Sequence, residues 1–87
     1  MILKSYNLKL LNLNSIINKV LELNKTNDII IYYDNDNLIL SNKVLDNSYN
    51  LIHMFLKNTY FSAFYEINKK SFLKSLFKNI KKEYNII

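Results

Sequence analysis

Six lysines lie close together in residues 68–83, which read NKKSFLKSLFKNIKKE and contain a single acid, Glu83. They are half of the 12 basic residues of the chain. Helical spacing gathers the apolar side chains of this segment on one side and most of the lysines on the other. Clustered ammonium groups bind phosphates through charge and read no base sequence. The segment, with one lysine from an earlier predicted helix, supplies the candidate nucleic-acid-binding residues: Lys70, Lys74, Lys78, Lys81, Lys82 and Lys19.

A basic helix face has other interpretations. A membrane surface or an acidic protein would also attract it, and many charge runs are simply solvated. The chain is rich in Asn, Lys, Ile, Leu and Tyr, which indicates an AT-rich coding genome such as that of an organelle, a virus or a plasmid. Such a bias raises the lysine content without any functional reason, so a solvated helix face stays an alternative.

Little in the sequence is suited to catalysis or to holding a cofactor. The chain has no cysteine and no glycine, which excludes thiolate chemistry and glycine-rich phosphate loops. His53 is the single histidine and has no acidic partner at ligand spacing, so we interpret it as a strand residue on the less buried face of a sheet. Asp34 and Asp36 begin like a calcium loop, but the central glycine and the final acid are missing. We therefore expect a protein that is not an enzyme, with no cofactor and no metal.

The elements that would position the lysines follow from periodicity. Alternation predicts a strand over residues 2–10, and helical spacing predicts a first helix over 11–25, with Asn12 or Asn14 as its N-cap. Residues 28–33 and 38–40 read as a hairpin around DNDN, residues 34–37. Further strands are predicted over 49–57 and 60–67. The basic helix then starts at Asn68 as its N-cap, with Ile67 and Phe72 as a hydrophobic staple.

This order predicts an α+β fold: a strand, a helix, a four-strand antiparallel meander and a second helix, with both helices on one face of the sheet. We expect one domain over residues 1–87. The longest apolar run, residues 29–33, is too short to cross a bilayer, which takes roughly 20 residues. The first residues lack the apolar region of a signal peptide, so an intracellular location is expected.

Order and spacing together resemble one domain of the sliding DNA clamp family, that of the proliferating cell nuclear antigen. The similarity covers roughly residues 2–82. It centres on DNDNLILSNKVLDNSYNLIHMFLK, residues 34–57, with the step Leu45–Asp46–Asn47–Ser48, and on FYEINKKSFLKSLFKNI, residues 64–80. In that family such domains join edge to edge into a ring of six, and the helices line the hole that holds DNA.

The resemblance implies a clamp-like oligomerising domain that associates with nucleic acid as a processivity or scaffolding factor. A family subunit has two such domains and a connector for client peptides, whereas this chain has one domain. It would therefore assemble from several copies or with a larger protein partner. The alternative is a small structural subunit of a large assembly, such as an organellar ribosome or a respiratory complex. A membrane-surface helix is a third option.

Overall fold

The computed structural model describes residues 1–10, 12–57 and 62–83, with only the backbone described at Leu10. Its elements in chain order are β1 (Ile2–Asn7), a short 3₁₀ helix (Leu8–Leu10), α1 (Leu13–Asn24), β2 (Ile29–Asp34), β3 (Asn37–Ser41), β4 (Asn50–Phe55) and α2 (Ala63–Glu83). The strands form one antiparallel sheet in the order β1-β3-β2-β4. The predicted α+β class, an antiparallel sheet with two helices, is confirmed, and the observed sheet has four strands.

Because the chain has no glycine, asparagine and aspartate form a helix cap and the tight turn with positive φ. Asn12 is the N-cap of α1, and its side chain accepts hydrogen bonds from the backbone N–H groups of Asn14 and Ser15. Asn35 and Asp36 connect β2 to β3 with φ of 47° and 67°. Left-handed backbone is costly for most residues but is tolerated by Asn and Asp, which explains DNDN at a two-residue hairpin. The predicted hairpin and the Asn12 cap are both confirmed.

The main core lies between the helices and one face of the sheet. Ile29, Ile31 and Tyr33 of β2 point into it, as do Leu38 and Leu40 of β3. Both helices contribute to the same core, so they cover the same face, as predicted. The helix residues buried there are Ile16, Ile17 and Val20 of α1 and Leu73, Phe77 and Ile80 of α2.

The opposite face of the sheet is covered by the segment between β3 and β4. Ile30, Tyr32 and Ile39 are buried there against Leu45 and Tyr49. The Tyr32 hydroxyl accepts a hydrogen bond of 2.9 Å from the backbone N–H of Leu45. β2 and β3 are the two inner strands of the sheet, and both are buried on both faces.

The strand predicted over residues 60–67 is wrong where the structure can be compared with it. Residues 63–67 belong to α2, and residues 60 and 61 lie outside the described residues. Ser62 caps the helix: its hydroxyl accepts from the N–H of Tyr65, and its carbonyl accepts from the N–H of Glu66. Asn68 is therefore an internal helix residue, and the N-cap and hydrophobic staple predicted at Ile67–Phe72 are wrong. Aromatic residues favour strands, but here the Ser62 cap and the packing of the later turns of α2 stabilise a helix.

Two further details differ from the expectation for strands. β4 pairs with β2 and not with its neighbour in sequence, β3, because β1 already occupies the other side of β3. His53 lies on the helix-covered face and not on the less buried one, since it pairs with Ile31 and its ring centroid is 4.9 Å from that of Phe72. In the described ranges, neither helix is long and apolar enough to cross a membrane.

Candidate nucleic-acid interface

The candidate lysines of α2 lie along one strip of the helix. Successive helical residues advance by about 100°, so Lys70, Lys74, Lys78, Lys81 and Lys82 fall within an arc of roughly 120°. The arc begins beside the buried line of Leu73, Phe77 and Ile80 and ends on the opposite, solvent-facing side. Lys81 is half-buried and the other four are exposed. We call these five residues the lysine strip.

No ion pair within the described residues joins the lysine strip to a carboxylate. The ion pairs found there are Lys9–Asp36, Lys19–Glu22 and Lys25–Glu66. About three and a half turns of α2 therefore carry positive charge along one side without an ion pair to neutralise it. Such a strip raises the local concentration of a polyanion.

Lys19 does not join the strip. Its ammonium lies 3.7 Å from Glu22, one turn further along α1. Burial, and after it the charge of Glu22, raise the pKa of the Tyr6 hydroxyl on β1. Asn18 and Leu21 of α1 line the groove toward α2, and Lys19 lies about 100° and 160° around the helix from them, so it faces away from α2. The structure brings together five of the six predicted residues and separates Lys19 from them.

Lys69, although it belongs to the lysine-rich segment of α2, makes contacts within the domain. Its ammonium donates a 2.7 Å hydrogen bond to Oδ1 of Asn24 and lies 6.0 Å from the centre of the Phe55 ring. Burial lowers the pKa of this ammonium. Lys69 therefore connects α2 to the C-terminal end of α1 and to the end of β4, on the side of α2 away from the lysine strip.

Asn24 holds this junction together. Its amide nitrogen lies within hydrogen-bond distance of the carbonyl oxygens of Asn27, Phe55 and Leu56, at 3.0, 3.2 and 3.1 Å. The side chain is almost completely buried, with 1% exposure. The junction fixes the start of α2 against the sheet and so sets the direction in which the lysine strip faces. Sequence periodicity did not indicate this residue, because an asparagine in a chain so rich in asparagine gives no signal.

The first two turns of α2 carry apolar side chains that the sequence analysis had placed on a strand. Phe64 is 71% exposed and Ile67 is 67% exposed. A shallow groove lies between this part of α2 and α1, lined by Asn18, Leu21, Ala63, Glu66, Ile67 and Lys70. Ser62 as a cap, with Glu66 in the first turn, is the sequence signal that would have assigned these residues to the helix.

The other described side chains that could take part in catalysis or metal binding do not form a cluster. Among the described residues, no three His, Cys, Asp or Glu side chains come close enough together to hold a metal ion. His53 packs against the rings of Phe55 and Phe72, at centroid distances of 4.6 and 4.9 Å. These contacts assign it a packing role at the edge of the sheet.

Searches of the chain against protein-family models, curated proteins and solved structures find no match.

Proposed function

We propose that this chain is a non-enzymatic, clamp-like domain that self-associates edge to edge and holds nucleic acid through α2, as a processivity or scaffolding factor. The observation that carries the proposal is the lysine strip: five cations on one side of a helix, with no ion pair to a carboxylate in the described part of the chain. Contacts of this kind neutralise phosphates irrespective of base sequence. Sequence-independent binding is what a processivity factor requires.

The sheet supports edge-to-edge association. β1 and β4 are its two outer strands, and they run in opposite directions. Placing β4 of one copy beside β1 of the next would keep all neighbours antiparallel and all helices on one face. On β4, Leu51 and Met54 are exposed, and no charged residue interrupts Asn50–Phe55. Natural edge strands are commonly protected by charges, so an uncharged edge favours pairing with another chain.

The nucleic-acid part of the proposal is tested by comparing two variants of equal net charge. One replaces Lys74, Lys78 and Lys82 with Gln. The other replaces three exposed lysines of β1 and the loops, Lys4, Lys43 and Lys57, with Gln. Binding to labelled single-stranded and duplex oligonucleotides is measured by fluorescence anisotropy over a range of salt concentrations.

We expect the α2 variant to reduce the slope of log affinity against log salt by roughly 2 to 3, because each phosphate contact contributes about 0.7 to 0.9. The control variant should keep the slope of the unmodified protein. An equal loss in both variants would mean that net charge alone attracts the polyanion, and the proposed interface would be wrong.

The oligomeric part is tested by light scattering at physiological salt. A single closed species of several copies supports the clamp proposal. If that species dissociates when Leu51 and Met54 are both replaced with Lys, β4 is the joining edge. A monomer at all concentrations would contradict self-association and leave assembly with a larger partner.

One observation favours the alternative, a small structural subunit of a large assembly. Large apolar side chains are exposed in several parts of the fold, among them Val44, Leu51, Leu56, Phe64 and Ile67. Apolar surface of this extent is often covered by a partner. This alternative predicts that the natural protein migrates in one large complex of fixed composition in native extracts, and that nuclease treatment leaves it there unless that complex contains RNA.

A further inference from the structure

Phe64, the most exposed aromatic residue of α2, lies in line with the lysine strip. Phe64 and Lys82 are 18 residues apart, which is five complete turns, so both side chains leave the helix in about the same direction. Lys78 lies within about 40° of that line, and Lys74 within about 80°. Phe64 also contacts Tyr65, with ring centroids 6.3 Å apart and planes at 82°. One side of α2 therefore presents an aromatic ring followed by a row of cations over roughly 27 Å.

Phe64 has no place in the core of the domain. The buried residues of α2 begin only at Leu73, and Phe64 lies in the first turn of the helix, ahead of all of them. The side chain of Phe64 is 71% exposed, in contrast to Phe77, which is fully buried. Packing of the fold therefore does not account for an aromatic residue at position 64.

We infer that the lysine strip and Phe64 together form a binding surface for single-stranded nucleic acid. The lysines contact successive phosphates, and the ring of Phe64 stacks on an unpaired base. This inference rests on the proposed function and specifies the class of nucleic acid. Surfaces that bind single strands without sequence preference combine a cationic track with aromatic stacking platforms, and charge complementarity selects a polyanion here.

A duplex fits this surface less well than a single strand. The base faces of a duplex are stacked on one another, so a duplex can contact the lysines but offers nothing to Phe64. A single strand exposes both its phosphates and the faces of its unpaired bases. A lipid bilayer also fits less well, because interfacial helices insert a continuous apolar face. In α2 that face, with Leu73, Phe77 and Ile80, is already buried in the domain.

The test uses the full chain with Phe64→Trp. The protein contains no tryptophan, so this residue is a unique fluorescent reporter at the proposed stacking site. Titrations use oligo-dT, oligo-U and a duplex of equal length. We expect strong quenching of the tryptophan emission by the single strands and weak quenching by the duplex. The two single-stranded arms distinguish DNA from RNA as the source of the same chemistry.

A second measurement uses Phe64→Ala without the reporter. Loss of one stacked base should weaken single-strand binding by about 5- to 150-fold and leave duplex binding unchanged. Val44→Ala removes another exposed apolar side chain, from the segment between β3 and β4, and is the matched control, for which we expect no change in affinity.

The failures of the two proposals can be told apart. The single-strand inference would be overturned by equal affinity for single strands and duplex, no quenching and no effect of Phe64→Ala. Those results would leave nucleic-acid binding by the lysines intact. No binding to any of the three oligonucleotides would overturn both. A blue shift of the Phe64→Trp emission on anionic phosphatidylserine vesicles, without quenching by oligonucleotides, would assign the surface to membranes and also overturn the inference.

Discussion

Replacing Asn24 tests whether one buried amide holds the two helices and the sheet in register. Asn24→Ala removes a side chain that donates toward three carbonyl oxygens and accepts from Lys69. The amide has only two hydrogens, so two of these contacts are full hydrogen bonds at any moment. At about 1 kcal/mol for each net bond, with the bond from Lys69 included, we expect a loss of about 2–3 kcal/mol.

That loss is large for a domain of this size. Small domains have a free energy of unfolding of about 5–15 kcal/mol. The midpoint of thermal unfolding should fall by roughly 10–20 °C, since a domain of this length loses about 4–8 °C per kcal/mol. The measurement is denaturant unfolding followed by far-UV circular dichroism. The denaturant dependence should stay constant, so that the midpoint reports stability alone.

Asn24→Asp separates the donor role of the amide from its contact with Lys69. The carboxylate keeps the shape and strengthens the attraction to the Lys69 ammonium, but it turns an acceptor toward the carbonyl oxygens of Phe55 and Leu56. We expect Asn24→Asp to be at least as destabilising as Asn24→Ala. Lys69→Met, which keeps the stem over the Phe55 ring, should cost only about 1 kcal/mol.

Asn18→Ala is the matched control, because Asn18 is an exposed asparagine of the same helix. Its effect should stay within about 0.5 kcal/mol. If Asn24→Asp unfolds at the same midpoint as the unmodified protein, the amide donors do not hold the junction and the reasoning is refuted.

Three further predictions concern the local structure. Ser62→Ala should lower the stability by about 1 kcal/mol through loss of the helix cap, whereas Asn68→Ala inside α2 should not destabilise. The reverse order in thermal melts would mean that α2 starts at Asn68. Asn35→Ala should destabilise by roughly 1 kcal/mol at its positive φ, while Asn35→Gly should be neutral; equal effects would contradict the left-handed turn. The side-chain and backbone hydrogen bonds from Ser48 lower the pKa of Asp46, so charged Asp46 favours the folded state. The contribution of charged Asp46 to stability should be complete above the ordinary aspartate pKa and should disappear as the pH falls through the lowered pKa. The difference in stability between the unmodified protein and Asp46→Asn, measured across acid pH, should vanish over the same range.

Local signals account for the elements that the sequence predicts correctly. The DNDN turn needs residues that tolerate positive φ, and Asn35 and Asp36 supply them. The spacing of Leu73, Phe77 and Ile80 identifies the buried side of α2, and the side chain of Asn12 marks the start of α1. Each of these signals acts over a few residues and requires no knowledge of distant neighbours.

The start of α2 shows where local signals compete. Phe64 and Tyr65 have the intrinsic preferences of strand residues. The hydroxyl of Ser62 and the junction of Lys69 with Asn24 favour the helix instead. The candidate site changes as a result, because Phe64 moves from a predicted strand to the same helix as the lysines.

The sequence by itself determined the α+β class, the hairpin, the capped first helix and the presence of a basic, amphipathic last helix. These properties follow from periodicity and from single-residue conformational preferences. Tertiary structure decided that β4 pairs with β2, that Asn24 is buried, and that Lys19 is separated from the other candidate lysines. Those outcomes depend on which surfaces compete for burial across the whole chain, and no local pattern contains that information.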